Sequence, residues 1–199
     1  MKRLAKFDSP WDSSYVAEFI EDFWTTANEV VLREAIAGWV GEGDGRSLLD
    51  VGCGSARVAP LLRGWDYHGV DGSGKFLGFA AARVDPSKLV CSDISRELPF
   101  EDSSFDAVLC MQVLRHLDSY DLVLAEMVRV AKDTVYLIDM WCDGAEHRYG
   151  KQEVAGVVFP ANTWALAVLE ADAERLGCQV ARQSLTGLPW SVTAVTLTL

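Results

Sequence analysis

Three aspartates stand at the ends of three short apolar segments, and their spacing suits the binding of a nucleoside. Asp50 ends the apolar run that begins at Leu48, and the glycine turn 52–54 follows it. Asp71 comes 21 positions after Asp50 at the end of a second run, and Asp93 ends a third. A glycine turn lets the backbone approach a ligand closely, and a carboxylate about 20 residues further on can accept hydrogen bonds from ribose hydroxyls. One such acid fits an ordinary surface turn, whereas three at corresponding positions predict a nucleoside site.

These acids fall within an alternation of strand and helix patterns. Short apolar runs are typical of strands buried in a parallel sheet, and the amphipathic stretches between them are typical of helices. The chain is therefore predicted to have an α/β fold, a doubly wound, Rossmann-like and mostly parallel seven-stranded sheet with an antiparallel C-terminal strand. Ligands in such sheets bind outside the carboxyl ends of the strands. The predicted strands are 48–51, 67–70, 89–91, 105–110, 134–139, 178–184 and 192–199, and the predicted helices include 11–23, 56–62 and 75–83.

Other local signals mark helix ends and one irregular stretch. Thr26 and Glu29 have the spacing of a capping box, which predicts that a helix begins there. The stretch 141–160 has no clear periodicity, and a loop of this length is usually functional or disordered. Asn162 or Thr163 is expected to cap the helix that follows it.

Aromatic residues near the N-terminus repeat with a spacing of about four, from Trp11 through Tyr15 and Phe19 to Phe23. This spacing puts their side chains on one face of a helix. The face either packs against the core or forms an aromatic flap over a ligand pocket, and both interpretations stay open. Neither this region nor the stretch 141–160 has a clear place in the sheet, so both are candidates for covering its ligand-binding edge. The candidate substrate-binding residues from these two regions are Trp11, Tyr15, Trp141 and Tyr149.

We expect a single domain over residues 1–199, because no linker, repeat or low-complexity segment interrupts the pattern. Within it, we expect an N-terminal helical cap over 1–40 and a cofactor-binding core over 46–140. The segment 141–160 is expected to contact substrate or act as a lid, and 161–199 to form a C-terminal helix and strand pair.

Composition narrows the class of protein. The chain carries 29 Asp and Glu against 18 Lys and Arg, a net charge of -11, and such a surface disfavours nucleic acid as a partner. No run of about 18 apolar residues occurs, so no membrane span is expected. The basic start is followed by Asp8 and Pro10 instead of an apolar run, which is not a secretory signal. Five widely spaced cysteines without a Cys-x-x-Cys pair predict no metal site and a cytoplasmic location.

In these motifs the chain resembles the class I S-adenosylmethionine-dependent methyltransferases, in particular the branch that acts on small molecules and resembles enzymes of ubiquinone biosynthesis. The resemblance covers residues 46–140. Ala56 stands where the family usually has a third glycine, and the turn 131–134 lacks the usual Pro-Gly-Gly. The segments that carry the resemblance are 49–57, 69–73, 92–94, 98–100, 104–106, 113–117 and 126–130.

The resemblance implies S-adenosylmethionine as the cofactor, S-adenosylhomocysteine as the product, and a small-molecule acceptor. It implies that Asp71 holds the ribose, that Asp93 and Ile94 flank the adenine, and that Gly52 and Gly54 lie against the methionine portion. The segment from Cys110 to Gln112 would border the methyl donor. The full set of candidate cofactor-binding residues is Asp50, Gly52, Cys53, Gly54, Arg57, Asp71, Gly72, Asp93, Ile94, Cys110 and Met111.

Methyl transfer from a sulfonium is a direct displacement, and positioning can supply much of its rate, so a catalytic base is optional. His116 and His147 are the candidate bases, and a structural role is the alternative for each. Three alternative functions are a methyltransferase for a protein or RNA acceptor, a noncatalytic nucleoside-binding module, and a nicotinamide-dependent oxidoreductase. The last is disfavoured because Arg57 stands where its third glycine is expected. The sequence leaves the acceptor, its methylated atom and the oligomeric state open.

Overall fold

The fold is known from a computed structural model, which describes residues 10–23, 25–154 and 156–199. A seven-stranded sheet runs through the molecule in the order β10-β11-β5-β4-β1-β2-β3. Strand β11 pairs antiparallel with both of its neighbours, and the pairs from β5 to β3 are all parallel. The predicted mostly parallel sheet with an antiparallel C-terminal strand is confirmed. Its strands are β1 (Ser47–Val51), β2 (Asp66–Asp71), β3 (Leu89–Cys91), β4 (Phe105–Met111), β5 (Ala131–Ile138), β10 (Gln179–Leu185) and β11 (Val192–Thr198), and the short strands outside it are β6 (Trp141–Cys142), β7 (Lys151–Val154), β8 (Val157–Pro160) and β9 (Trp164–Ala165).

Helices cover both faces of the sheet, which therefore separates two apolar cores. Successive residues of a strand point to opposite faces, so Leu48 joins one core and Leu49 joins the other. Leu48 packs on the side of Leu32 in α2, and Leu49 on the side of Leu124 in α4. Burial on both faces explains why the strands are nearly continuous apolar runs. The helices are α1 (Ser14–Phe23), α2 (Ala27–Val40), α3 (Gly74–Ala80), α4 (Asp121–Val130) and α5 (Leu166–Arg175).

The helix predicted over 56–62 does not form, and a single 3-10 turn, Ala59–Leu61, stands there. Ala56 has a φ of 54°, in the left-handed region that a right-handed helix excludes. The backbone after the glycine turn thus keeps the irregular path of a ligand-binding loop before the short turn begins.

The stretch 141–160, expected to be irregular, contains a β-hairpin made of β7 and β8. Asn162, expected as a helix cap, instead donates from Nδ2 to the carbonyl of Leu117 at 2.8 Å. Its Oδ1 accepts from the backbone N–H of Gly150 at 3.1 Å. Asn162 therefore ties the hairpin to the segment after β4, and α5 begins only at Leu166.

The helix predicted in the N-terminal region is present as α1, but its aromatic face does not fill the core. The side chains of Tyr15, Phe19 and Phe23 are 78%, 52% and 47% exposed, whereas Val16 and Ala17 are buried. The part of the expected helical cap that falls on 1–9 lies outside the described residues. The capping box is also absent, because the Thr26 side chain makes no capping hydrogen bond to α2. Within the described residues, no helix combines the length and the apolar character that crossing a membrane requires.

Candidate active site

A cavity of about 510 Å³ opens at the carboxyl ends of β1, β2 and β4. This is the edge of the sheet at which ligands bind in doubly wound folds, and the volume suits a small organic molecule. The residues that line it are Trp11, Ile20, Phe23, Glu29, Gly52, Cys53, Gly54, Ser55, Arg57, Asp71, Gly72, Ser73, Phe76, Asp93, Ile94, Ser95, Met111, Gln112, Val113, Arg115, His116, Leu117, Gln152, Phe159 and Pro160.

The glycine turn after β1 forms part of this wall with a backbone that only glycine adopts easily. Gly52 and Gly54 have φ values of 74° and 52°. A Cβ at Gly52 would lie 2.4 Å from a methyl carbon of Val113, so a side chain there would displace the segment after β4. A Cβ at Gly54 would meet nothing within 4 Å. The turn therefore leaves open space beside its backbone, where a ligand can approach.

Asp71 connects this turn to the start of α3. Its Oδ2 accepts from the N–H of Gly54 at 2.8 Å, and its Oδ1 accepts from the N–H of Ser73 at 2.8 Å. Burial raises the pKa of Asp71, and these two backbone hydrogen bonds oppose the rise. Ser73 caps α3 by accepting from the N–H of Phe76, and its Oγ donates to the carbonyl of Trp11 at 2.8 Å. The carboxylate, the glycine turn and the N-terminal segment thus form one connected network.

Asp50 and Cys110, two of the candidate cofactor-binding residues, lie behind the wall and do not line the cavity. Asp50 is only 2% exposed and accepts from the Tyr67 hydroxyl at 2.7 Å. Burial raises its pKa to about 7, the Tyr67 hydrogen bond opposes the rise, and the nearby charge of Asp71 adds to it. The side chain of Cys110 belongs to the core below the sheet edge. Because side chains alternate between the two faces of a strand, those of Asp50 and Cys110 point into the protein interior. The sequence pattern did not reveal this direction.

Asp93 and Ile94 line the cavity beyond β3. One carboxylate oxygen of Asp93 accepts from both the N–H and the Oγ of Ser95, at 3.0 and 2.6 Å. The other accepts from Nε of Arg96 at 3.1 Å. These contacts hold the loop after β3 against the cavity.

Arg57 holds α1 over the glycine turn. Its guanidinium donates to the side chain of Glu21 at 2.7 Å and to the Glu21 carbonyl at 2.9 Å. Arg83 donates to the same carboxylate at 2.7 Å and to the Ser55 carbonyl at 3.1 Å. Burial acts to raise the pKa of Glu21, but hydrogen bonds with Ser55, Arg57 and Arg83 outweigh it and lower the pKa. Two cations and one acid therefore anchor α1 to the cavity wall.

His116 lies in the cavity wall between the N-terminal segment Pro10–Asp12 and the hairpin of β7 and β8. Its Nδ1 is 2.8 Å from the Pro160 carbonyl, and its ring meets the Trp11 ring edge-on with centroids 4.7 Å apart. Burial lowers the pKa of His116 to about 4, so the ring is neutral at pH 7. Because Nδ1 must carry the proton that is donated to Pro160, Nε2 holds the lone pair. Trp11 also stacks on Phe159 with centroids 4.3 Å apart.

The other candidate base, His147, does not line the cavity. Its Nδ1 accepts from the N–H of Ala165 at 3.0 Å, and its ring packs edge-on against Tyr120 and Trp164. This aromatic cluster joins the segment after β6 to α4 and β9. His147 therefore has the position of a packing residue. The sequence shows only an isolated histidine in an irregular stretch, and this pattern does not distinguish a packing role from a catalytic one.

Of the four candidate substrate-binding residues, the structure brings only Trp11 to the cavity. Trp141 donates from Nε1 to the Thr193 carbonyl at 2.8 Å and is tied to β11. Tyr15 and Tyr149 are 78% and 71% exposed. An aromatic side chain serves a core, a surface or a pocket equally well, and its place depends on contacts that are distant in sequence.

Several cavity residues were not among the candidates from the sequence. Ser73, Ser95 and Val113 are chain neighbours of motif residues, so their position follows from the motifs. Gln152 and Phe159 reach the cavity through the hairpin, and the sequence carries no signal for that contact.

Comparison with protein families matches residues 49–139 to the family described as "Methyltransferase domain". Among the curated relatives, ubiquinone biosynthesis O-methyltransferase of Dechloromonas aromatica is 32% identical over 97 residues, which are 44% of this chain and 40% of that protein. Demethylmenaquinone methyltransferase of Bacillus mycoides is 31% identical over 133 residues, 59% of this chain and 56% of that protein. The chain thus spans about half the length of the curated relatives it matches.

Solved structures share the fold over nearly the whole chain. A chain from a complex that contains the Haloferax volcanii Trm112 methyltransferase activator superposes with a TM-score of 0.72 at 18% identity, covering 98% of this chain and 99% of that chain. A SAM dependent methyltransferase from Aquifex aeolicus superposes with a TM-score of 0.66 at 17% identity, covering 92% and 97%. At these identities the likeness establishes the fold.

Proposed function

We propose that this protein transfers the methyl group of S-adenosylmethionine to a small-molecule acceptor, because residues 49–139 match the family described as "Methyltransferase domain" and the fold is shared with S-adenosylmethionine-dependent methyltransferases. The observation that carries the proposal is the cavity in which the open turn at Gly54 meets the half-buried carboxylate of Asp71. Two of the relatives are named for methylation in ubiquinone and menaquinone biosynthesis, which supports a small acceptor.

The residues present fit this cofactor. The cavity of about 510 Å³ lies within the roughly 300–1,000 Å³ range of small-molecule sites. Asp71 and Asp93 supply carboxylates, which suit hydroxyl and amino donors and favour a ligand that carries a sulfonium cation. Open space beside Gly54 leaves room for the ligand against the backbone. When bound, S-adenosylmethionine supplies a methyl group activated toward a nucleophile.

The proposed roles follow from position in the wall. Each oxygen of Asp71 already accepts one backbone hydrogen bond and retains a second lone pair, so both can accept from ribose hydroxyls. Asp93 and Ile94, at the far side of the cavity, are placed to flank the adenine. Met111 and Gln112, at the end of β4, border the methyl group. Asp50 acts from behind the wall, by fixing Tyr67 beneath the turn.

The proposed chemistry is displacement by positioning, because His116, the candidate base that lines the cavity, is a weak base at neutral pH. The Nε2 lone pair of His116 can accept a hydrogen bond from an acceptor, but a pKa of about 4 makes it a weak base. Its firm attachment to Pro160 supports a positioning role. Displacement on a sulfonium can proceed without a strong base, because positioning supplies much of the rate.

We also propose a single domain over residues 1–199 and a cytoplasmic location. One seven-stranded sheet contains both β1 and the C-terminal β11, which supports one domain. All five cysteines are free, which is consistent with a reducing compartment. A second candidate is a partnered enzyme that modifies a macromolecule, and the activator-containing complex among the structural neighbours is the observation that favours it.

The test is isothermal titration of the purified protein with S-adenosylmethionine, S-adenosylhomocysteine and NAD, followed by transfer of labelled methyl in cell extract separated by size. We expect binding of the first two ligands only, and label in the small-molecule fraction. Binding of NAD alone would contradict the proposed cofactor. Label found in protein or RNA would refute the small-molecule acceptor and support the second candidate, an enzyme that modifies a macromolecule.

A further inference from the structure

Arg115 stands in the cavity wall beside His116, in the segment that directly follows β4. Its backbone is fixed, because its N–H donates to Oδ2 of Asp139 at 3.2 Å and its carbonyl accepts from the N–H of Asn162 at 2.8 Å. Its side chain is not fixed in this way. The Nε atom is buried and has no hydrogen-bond partner among the residues that the structure describes. Over 10–23, 25–154 and 156–199 the guanidinium makes no ion pair either.

Among the described residues, Arg115 is the one arginine with a buried nitrogen that lacks a hydrogen-bond partner. Arg57 and Arg83 share the carboxylate of Glu21, and Arg129 pairs with both Glu126 and Asp102. A charged group in a partly buried wall is costly unless a counter-ion neutralises it, and an unpaired donor there adds to the cost. Over the part of the chain that the structure describes, Arg115 thus has no carboxylate within ion-pair distance.

The carboxylate of Asp139 makes no ion pair with the guanidinium of Arg115, although it lies close enough to feel its charge. It accepts from the backbone N–H groups of Met140 and Arg115. Burial raises the pKa of Asp139 to about 6, and these hydrogen bonds and the positive charge of Arg115 oppose the rise. The carboxylate therefore mainly holds the chain after β5, and the guanidinium of Arg115 lines the cavity without a directly bonded acid.

Arg115 lies in the part of the cavity wall that is not assigned to the cofactor. Phe159 and Pro160 of the hairpin complete this side of the cavity, and the stacked rings of Trp11 and Phe159 provide a flat apolar surface. A ligand held here would present an apolar body to these rings and a negative group to the guanidinium. Such charge-assisted, often bidentate contacts are characteristic of arginine and carboxylate.

We propose that Arg115 binds a carboxylate of the acceptor, so that this methyltransferase acts on an apolar small molecule that bears a carboxylate. The inference rests on the proposed function, since it assigns the acceptor of that reaction. A carboxylate is chosen over a phosphate because one guanidinium balances one negative charge, and a phosphate monoester carries nearly two at pH 7.

The experiment uses protein saturated with S-adenosylhomocysteine, so that anions do not occupy the cofactor half of the cavity. The binding of phenylacetate, the neutral phenylacetamide and phenyl phosphate is then measured by titration calorimetry. The proteins are the wild type, Arg115→Gln, Arg115→Lys and the matched control Arg63→Gln, whose arginine is exposed and outside the cavity. Affinity for S-adenosylhomocysteine is measured for each of them.

We expect the wild type to bind phenylacetate at least about tenfold more tightly than the amide, and Arg115→Gln to lose this preference. Arg115→Lys should keep part of it, and Arg63→Gln all of it, with affinity for S-adenosylhomocysteine unchanged throughout. The proposal is overturned if acid and amide bind the wild type equally, if Arg115→Gln retains the preference, or if no acid binds up to about 10 mM. Tighter binding of phenyl phosphate would overturn the carboxylate assignment. A wild type that does not bind S-adenosylhomocysteine would instead refute the proposed function, and this inference with it.

Discussion

At the scale of single residues, the site depends on carboxylates whose oxygens are already organised by backbone N–H groups. Asp71 is held between Gly54 and Ser73 before any ligand arrives. Because the Asp71 side chain is already ordered, less conformational entropy is lost when it binds a ligand. The sequence predicted the position of Asp71 because the motif spacing is local, whereas the inward direction of Asp50 depends on the strand register.

Replacement of Asp71 by alanine is expected to weaken cofactor binding about tenfold or more, because hydrogen bonds to a charged group contribute roughly 1.5–3 kcal/mol. Titration calorimetry with S-adenosylmethionine measures the effect. Asp143→Ala, which removes an exposed carboxylate outside the cavity, should bind normally. Normal binding by Asp71→Ala would refute the ribose assignment.

His116 makes a prediction about pH. Its pKa in the folded protein is about 4, below the ordinary value of 6.5, so the unfolded chain binds a proton first as the pH falls. The stability that depends on the neutral ring is complete above about pH 6.5 and decreases toward pH 4, by at most about 1.4 kcal/mol per pH unit.

Urea unfolding of the wild type and of His116→Asn, at several pH values between about 7 and 5, isolates this effect. Asp50, whose raised pKa acts in the opposite direction, contributes equally to both proteins and cancels in the difference. We expect the stability advantage of the wild type to shrink as the pH falls. A difference that stays constant with pH would show that the ring is not held neutral.

At the scale of elements, the sheet was predictable and the parts that cover its ligand-binding edge were not. Strands buried on both faces have continuous apolar sequences, so β1, β4 and β5 could be recognised one by one. The hairpin of β7 and β8 could not, because its exposed strands alternate weakly. Its position depends on contacts of Pro160 with His116 and of Asn162 with Leu117, which join residues 44 and 45 positions apart in the sequence.

The attachment of α1 through Glu21 gives a prediction at this scale. Glu21→Gln keeps the size of the side chain but removes the charge shared by Arg57 and Arg83. We expect faster hydrogen exchange in α1 and a loss of stability on the order of 2 kcal/mol, since one acid serves two partly buried cations. Glu18→Gln, on the exposed side of the same helix, is the control. Equal exchange rates in both variants would show that the ion pairs do not hold α1.

Trp11 tests whether the N-terminal segment and the hairpin close over the acceptor. Trp11→Ala removes the ring that contacts both His116 and Phe159. We expect turnover to fall about tenfold or more while affinity for S-adenosylmethionine changes less, because the ring lies on the acceptor side. Tyr15→Ala is the control, since that ring lies outside the cavity. Equal losses of turnover and cofactor affinity would assign Trp11 to the cofactor site.

At the scale of the whole molecule, the alternation of strands and helices was enough to predict the class of fold. Local sequence failed where a single backbone angle decided the outcome, as at Ala56, whose left-handed φ replaces the expected helix by a loop. It also failed where aromatic side chains had to be assigned to core, surface or cavity, as at Trp141 and His147. Those assignments depend on which distant segments meet, and only the folded chain shows that.

One hydrogen bond described above links the proposed cofactor site to the proposed acceptor site. The hydroxyl of Ser73, next in the network to Asp71, donates to the carbonyl of Trp11, whose ring belongs to the proposed acceptor wall. A ligand on Asp71 therefore steadies the surface that the acceptor meets, and the two binding equilibria are linked. Linkage is reciprocal, so S-adenosylhomocysteine and a captured acceptor should raise each other's affinity by the same factor, which Ser73→Ala should bring close to one. Titration calorimetry of each ligand in the presence and absence of the other would measure this factor.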